Sequence, residues 1–349
     1  MSFANSLASV SDRQTRLDAL RGLAALAVVL HHLFAPWEWH GSHPILKTLD
    51  AFAAWGWLGV PVFFVLSGRC VGQAWLNTPG AAHFTLRRMR RIYPAYLASL
   101  AVCLGVILLR HLITGTNDYA PLPRDLPSIL AHLSLAIHPA TSVPGLNWVY
   151  WSLACEMAYY LVLAGLLFTP SYLGRASAWV MLNLGFSLLS LMGWGVPRTP
   201  FFFLEHWGLF ALGVSLALRA AGHRLALPSL IVSALYFSIL TARGEAGPHH
   251  WVGVLTALIL LLPGFWWNPA PDHVLVRVGI ASYSLYLIHV PVGVFMVFLP
   301  AARLLGSNLM GMLAALSLGF AASLAAGFAF FYLVERPCLL PRRSPLPTP

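Results

Sequence analysis

Charge is what this sequence has least of. Only 9% of its 349 residues are Asp, Glu, Lys or Arg, against about 25% in a typical soluble globular protein. A water-facing surface must be largely polar, so the deficit excludes a soluble globular chain and points to a lipid bilayer as the solvent. Lysine is nearly absent: of the 21 basic residues only Lys47 is a lysine, leaving 20 arginines. Cysteine is sparse and scattered. Cys70, Cys103, Cys155 and Cys338 form no CxxC pair and have no metal-type spacing, and three of them lie in apolar stretches. They read as small buried hydrophobes, without a disulfide framework or a metal. There is no P-loop, HExxH, GxSxG elbow or Rossmann glycine pattern, which disfavours ATP-driven transport and hydride transfer. Extramembrane domains, internal repeats, charge runs and linkers are also missing.

What is present is apolar: 58% of residues are hydrophobic and the mean hydropathy is +0.74. A helix needs about 20 apolar residues to cross a bilayer. That ruler predicts about ten spans, near 17–36, 54–76, 92–113, 148–168, 176–194, 201–220, 226–242, 249–266, 278–300 and 308–334. The seventh, bracketed by Pro228 and Gly244, is the weakest. Gly22 to Phe34 could pass for a signal-peptide core, but many spans follow and no small-residue cleavage site is evident, so an uncleaved first helix is expected. The fold class expected is therefore all-α, a polytopic transmembrane bundle.

The net charge of +10 is spread over helix ends and not over one basic face, so it reads as membrane orientation and not as nucleic-acid binding. With the N-terminus in the cytoplasm, Arg13, Arg16, Arg21, Arg87, Arg88, Arg90, Arg91, Arg175, Arg219, Arg224, Arg277, Arg336, Arg342 and Arg343 all fall inside. The outer loops keep Lys47, Arg124, Arg198, Arg243 and Arg303. Both termini are then cytoplasmic, with one membrane domain over 1–337 and a short disordered tail over 338–349. The longest outer loop, about 114–147, carries Asp118, Pro121, Pro123, Asp125 and Pro127. It then has an apolar piece from Ile129 to Ile137, too short to span.

Polar groups inside hydrocarbon are costly and each needs a reason. Eleven helical steps from Arg21 to His32 come to within about 20° of three full turns, so both lie on one stripe, about 16 Å apart in rise. The bland alternative is a snorkelling arginine and a histidine bonded to a neighbouring helix, and it weighs equally for either residue alone. His31 lies beside the stripe as a supporting group. Arg87, Arg88, Arg90 and Arg91 precede Pro94; an orientation anchor accounts for their charge, whereas four guanidiniums in so short a stretch also suit a phosphate. Glu156 lies in the fourth span among Trp148, Trp151, Tyr159 and Tyr160. The tryptophans fit an aromatic belt, but the glutamate calls for a partner charge or a wet cavity. His289 falls in mid-membrane shortly before Pro291. Glu335 and Arg336 read simply as a cap on the last span. The remaining histidines, including His138, His249 and His250, lie in loops without metal-type companions.

The stretches that carry these residues resemble the acyltransferase family 3 of integral membrane O-acyltransferases, over nearly the whole chain from Arg16 to Pro337. RLDALRGLAALAVVLHH is similar to the family's R-x10-H signature, carried by Arg21 and His32. FFVLSG (Phe63 to Gly68) is similar to its second span, and LRRMRRIYP to its R-x-x-R element, aligned as Arg88 and Arg91 with Arg87 and Arg90 as the other pairing. YWSLACEMAYYL is similar to W-S-L-x-x-E, with Trp151, Ser152 and Glu156, and SYSLYLIHVP to the late span with His289. Each motif is weak alone; five in order are specific. Arg69 and Cys70 after Ser67-Gly68, and E-M-A-Y-Y at the glutamate, depart from many relatives and bear on acceptor choice. The hydrolase-like domain fused to some members is not seen, so a stand-alone membrane enzyme is expected.

The resemblance implies transfer of an acyl group, usually acetyl, from cytoplasmic acyl-CoA to a hydroxyl of an extracytoplasmic or membrane-bound glycan. It also implies a bacterial inner-membrane location and the company of other polysaccharide-assembly proteins. Arg21, Arg88 and Arg91 would hold the CoA phosphates, since an extended phosphopantetheine arm of roughly 15–20 Å matches the Arg21–His32 rise. His32 would be the general base, or would itself carry the acetyl group, and Glu156 would orient His32 or bind the sugar. His31, Trp151, Ser152 and His289 would support them. No metal is expected. The competing classes are acylation of a lipid or small secondary metabolite, and a proton-coupled transporter or flippase.

Overall fold

The computed structural model describes residues 3–36, 43–115, 119–169, 171–262 and 269–339. Asp118, Arg342, Arg343 and the tail from 340 onward lie outside the described residues. Every regular element among the described residues is helical, as a chain that must satisfy its backbone without water demands.

The first part of the chain forms α1 (Phe3–Phe34), α2 (Pro44–Ala53), α3 (Gly59–Leu76), α4 (Ala81–Thr114) and α5 (Leu126–Ser134). The middle forms α6 (Tyr150–Leu166), α7 (Tyr172–Leu191), α8 (Trp207–Ala220), α9 (Ala226–Ala242) and α10 (Pro248–Leu261). The last part forms α11 (Val274–Ile280), α12 (Ser282–Ile288), a π-helix (His289–Phe298), α13 (Leu299–Leu305), α14 (Leu309–Phe330), a second π-turn (Phe331–Glu335) and α15 (Arg336–Leu339). Sequence chemistry sets several ends. Gly115 adopts φ 69° and returns its N–H to His111, closing α4. Asp125, Ser171 and Asn308 cap α5, α7 and α14 by accepting from backbone N–H groups.

Among the described residues, five helical stretches are long and apolar enough to cross a membrane: Thr15–Phe34, Pro44–Leu76, Ala81–Thr114, Ser282–Leu305 and Leu309–Leu339. Ala226–Ala242 and Pro248–Leu261 are shorter apolar helices, and α6, α7 and α8 occupy the other expected positions. The apolar piece of the long outer loop is α5, nine residues long. The last helix continues through Cys338 to Leu339.

Two backbone crossings fix the frame. Gly22 of α1 meets the Leu275 carbonyl of α11, and Gly279 of α11 meets the Asp18 carbonyl of α1, so a Cβ at either position would collide with backbone. Gly68 of α3 and Gly213 of α8 interlock in the same way against the Phe210 and Val65 carbonyls. Small residues let helix axes approach this closely, which is how apolar helices associate in lipid. Arg21 and Ser67, next to Gly22 and Gly68, are placed by these contacts.

The π-helix has a cause in the sequence. Pro291 lacks the N–H that an α-helix would give to the Leu287 carbonyl, and Asn147 Nδ2 donates to that carbonyl instead at 2.9 Å. Pro300 lacks the N–H that the i→i−5 pattern would give to Phe295, and Arg110 Nη1 donates there at 2.5 Å. Two prolines thus expose two carbonyls, and two polar side chains from other helices and loops cover them.

Candidate active site

A cavity of about 90 Å³ lies between α1, α3, α4, α6 and α12. Its polar lining is Arg21, Ser67, Arg88, Arg91, Ser152, Glu156, Tyr160, Ser282, Tyr283 and Tyr286, with Cys70 also in the wall. Arg88 and Arg91 are three apart on α4, so they share one face. Arg87 and Arg90 are exposed on the other side, with Arg87 Nη2 donating to Thr78 Oγ1 at 2.8 Å. Of the two R-x-x-R pairings, Arg88 with Arg91 is the one that lines the cavity. Arg21 also pairs with Asp18 at 3.5 Å.

Glu156 is the one carboxylate in the lining, against three guanidiniums. It accepts from Ser67 Oγ and from Tyr160 OH at 2.5 Å. Arg88 Nε is buried and has no hydrogen-bond partner among the described residues. A buried guanidinium with an unused donor, beside two more in a three-to-one excess, is suited to an anion such as a phosphate or diphosphate.

His32 is not part of this lining, and the structure does not bring Glu156 to it. Its partner is His289, from 257 positions further along the chain: His289 Nε2 and His32 Nδ1 are 3.1 Å apart. The carbonyls around the pair fix the protons. Leu285 O lies 3.0 Å from His289 Nδ1, and a carbonyl only accepts, so His289 Nδ1 carries hydrogen and its Nε2 offers a lone pair. Val28 O lies 3.0 Å from His32 Nδ1, so that nitrogen is the N–H, shared between Val28 O and His289 Nε2. The remaining lone pair of neutral His32 is on Nε2, which makes no hydrogen bond among the described residues. This is the tautomer a general base needs, held by a second imidazole. His289 is fully buried and opens the π-helix; π-turns of this kind are frequent at functional sites.

Polar and aromatic groups connect the imidazole pair to both sides. Tyr286 lines the arginine cavity, shares a 2.7 Å hydrogen bond with Ser152 Oγ, and has its ring 6.0 Å from that of His289. On the other side Trp148 lies 6.2 Å from His32 and 5.3 Å from Phe295. His31 Nδ1 bonds Ala53 O at 3.2 Å, tying α1 to α2. Trp151 turns toward His206, 5.2 Å away, and toward Phe64, and does not reach His32. Arg69 is buried on α3 and donates to Gln73 at 2.9 Å; it does not line the cavity.

Sequence reasoning assigned no role to Ser67, Tyr160, Tyr286, Asn147, Arg110 or His132. Each is a polar side chain in or beside an apolar stretch, the one signal available. Glu335, read as a helix cap, is buried at 3% exposure and accepts from Ser284 Oγ at 2.5 Å. Among the described residues no group of three or more His, Cys, Asp or Glu is placed to hold a metal ion.

Residues 14–333 match the family model described as an acyltransferase domain. The chain is 27% identical to the acyltransferase MdmB of Streptomyces mycarofaciens, over 96% of its own length and 95% of the relative's. It is 26% identical to the O-acetyltransferase OatA of Staphylococcus aureus, over 42% of its own length and 23% of the relative's. It is 27% identical to nodulation protein 10 of Rhizobium leguminosarum bv. viciae, over 45% of each. No solved structure matches the chain.

Proposed function

Because the chain belongs to this acyltransferase family, we propose that it moves an acyl group, acetyl in the simplest case, from cytoplasmic acyl-CoA to a hydroxyl of an extracytoplasmic or lipid-linked glycan such as an exopolysaccharide or O-antigen. In this reading about ten helices cross the bacterial inner membrane, both termini are cytoplasmic, and the arginine-rich ends face inward.

The observation that carries the reading is His32. Its Nδ1–H is occupied by Val28 and His289, its Nε2 is left basic, and a cavity with three arginines lies toward the start of the same helix. Arg88, Arg91 and Arg21 grip the phosphates of CoA, and the pantetheine arm runs along α1 toward His32. The cavity's 90 Å³ holds only a few waters, so it grips one end of the donor and does not enclose it. His32 Nε2 takes the proton of the acceptor hydroxyl as that oxygen attacks the thioester carbonyl. The O–C bond forms, the C–S bond breaks, and the proton passes from the imidazolium to the CoA thiolate. Glu156 acts on the donor side, balancing the guanidiniums and orienting Ser67 and Tyr160. A transient acetyl on His32 is the covalent variant of the same scheme, and a trapped acetyl-enzyme would replace the simple base mechanism with it.

The test is reconstitution in liposomes with radiolabelled acetyl-CoA and envelope glycan, comparing wild type with His32→Ala. CoA release and label transfer by wild type, both lost in His32→Ala while acetyl-CoA still binds, are the expected result. Failure of wild type to bind acetyl-CoA would remove the donor, and substrate movement without CoA release would favour a transporter.

A further inference from the structure

Trp148 lies beside the proposed base, and the scheme above gives it no part. It sits just before α6 and meets the last turn of α1, which carries His32. In the proposed orientation this is the outer end of the bundle, away from the arginine cavity. The side chain is 40% exposed. Trp55, Trp57, Trp194 and Trp251 are exposed too, as an aromatic belt would have them. Among the described residues, Trp148 is the one of these whose ring meets His32, with centroids 6.2 Å apart.

This exposed ring is also held in place. The backbone on either side of it is tied to the segment that carries His289. Asn147 Nδ2 donates to Leu287 O at 2.9 Å, and Tyr286 OH donates to Val149 O at 3.1 Å. Phe295 packs against the indole, with centroids 5.3 Å apart and planes at 79°. A belt tryptophan needs none of these ties. A recognition surface gains from them, because a ring fixed in advance loses little entropy when a ligand covers it.

The two rings together set the chemistry of that ligand. An exposed indole takes an apolar surface, and a base beside it takes a hydroxyl proton. The ligand must present both within a few ångströms. A pyranose does so: its axial C–H bonds make an apolar face, and its equatorial hydroxyls stand at the ring's edge. Stacked on the indole at contact distance, about 4 Å, it carries an edge hydroxyl to about one hydrogen-bond length, ~3 Å, from an imidazole centred 6.2 Å from the indole. An acyl chain would cover the indole and offer the base nothing.

We propose that Trp148 is the acceptor platform: a pyranose unit of the glycan stacks on its indole and turns one hydroxyl toward His32. The inference rests on the acyl-transfer reading and adds which residue receives the acceptor and what part of the acceptor it recognises.

Kinetics in proteoliposomes, with acetyl-CoA as donor and envelope glycan of the host as acceptor, give the first test. Trp148→Leu keeps an apolar side chain and removes the ring. The glycan KM should rise about tenfold, with the acetyl-CoA KM within about threefold of wild type. Trp148→Phe, which keeps a ring, should recover most of the loss. An unchanged glycan KM in Trp148→Leu overturns the proposal, as does a Phe variant no better than Leu. Equal damage to both KM values also overturns it and marks a packing residue. Hydroxyl-radical footprinting of the wild-type protein needs no variant. Saturating glycan should slow oxidation of Trp148 several-fold and leave Trp194 and Trp251 unchanged. Oxidation of Trp148 at the same rate with and without glycan overturns the proposal even where the variants do not fold. Transfer of label to a non-sugar acceptor, with no glycan turnover, overturns the sugar assignment. Failure of wild type to bind acetyl-CoA, seen with the donor alone, defeats the acyl-transfer reading itself.

Discussion

His289→Phe removes one contact from the proposed reaction centre and leaves the rest in place. The ring is of similar size, so the fully buried site stays filled, but His32 Nδ1 loses the acceptor 3.1 Å away and keeps only the Val28 carbonyl. In the resting state this is one neutral hydrogen bond. As His32 takes the acceptor's proton it becomes an imidazolium, and the same contact becomes charge-assisted, worth about 1.5–3 kcal/mol. Only the part of a contact that strengthens on the way to the transition state affects kcat. The neutral bond is worth about 0.5–1.5 kcal/mol, so the strengthening is about 1–1.5 kcal/mol, and at about 1.36 kcal/mol per decade the expected fall in kcat is roughly 5- to 13-fold. The arginine cavity is not touched, so the KM for acetyl-CoA should not change. His289→Gln offers an amide oxygen to His32 and should recover part of the rate. The assay is label transfer from acetyl-CoA in proteoliposomes across a donor series. An unchanged kcat in His289→Phe, or a loss that appears only in the donor KM, would refute the orienting role and return His289 to a packing residue.

Arg88→Ala and Arg91→Ala should each raise the acetyl-CoA KM tenfold or more by removing a charge-assisted contact of about 1.5–3 kcal/mol, whereas exposed Arg87→Ala and Arg90→Ala should change it less than threefold; donor titrations decide. Glu156→Ala leaves the Ser67 and Tyr160 hydroxyls without their acceptor and removes the one carboxylate of the cavity lining, so both activity and the melting temperature in detergent should fall. Gly68→Leu drives a side chain into the Phe210 backbone and should cost about 1–3 kcal/mol or more, seen as loss of monodisperse protein in gel filtration. The Ser128 N–H holds the Asp125 carboxyl below the usual carboxylate range. The cap on α5 is therefore fully present above the ordinary carboxylate pKa and lost as pH falls through the depressed value. Hydrogen exchange in α5 should quicken over that acidic interval in wild type and be pH-independent there, apart from intrinsic exchange, in Asp125→Ala.

Arg21, Arg88, Arg91 and Glu156 could be picked from the sequence because an ionised group in hydrocarbon needs a reason wherever it occurs. Their meeting in one cavity follows from that cost. The pairing of His32 with His289 could not be read in the same way. His32 alone reads equally as a structural or a functional histidine and His289 as a supporting group, and only the packing of the π-helix beside α1 brings them together. Glu156 was the natural partner to expect for His32, being the one acid in mid-span, yet its carboxylate is taken up by Ser67 and Tyr160. Arg110 resembles an end-of-helix arginine until Pro300 is seen to leave the Phe295 carbonyl bare. Helix positions followed hydrophobicity well. The five stretches that are long and apolar enough to span stand out by composition, whereas α6 and α8 are shorter, at 17 and 14 residues, and α7 has the length, at 20 residues, but is not among the five.

The two prolines of the π-helix also bear on how the protein is made. A segment with bare carbonyls at Leu287 and Phe295 is poorly suited to lipid on its own, since each unsatisfied group there costs several kcal/mol. Asn147 and Arg110, which cover them, are synthesised more than a hundred residues earlier. A chain entering the bilayer N-terminus first therefore presents a waiting receptor to its own last third. The two imidazoles meet only when that segment packs beside α1, so a chain that ends before His289 lacks the oriented base proposed above.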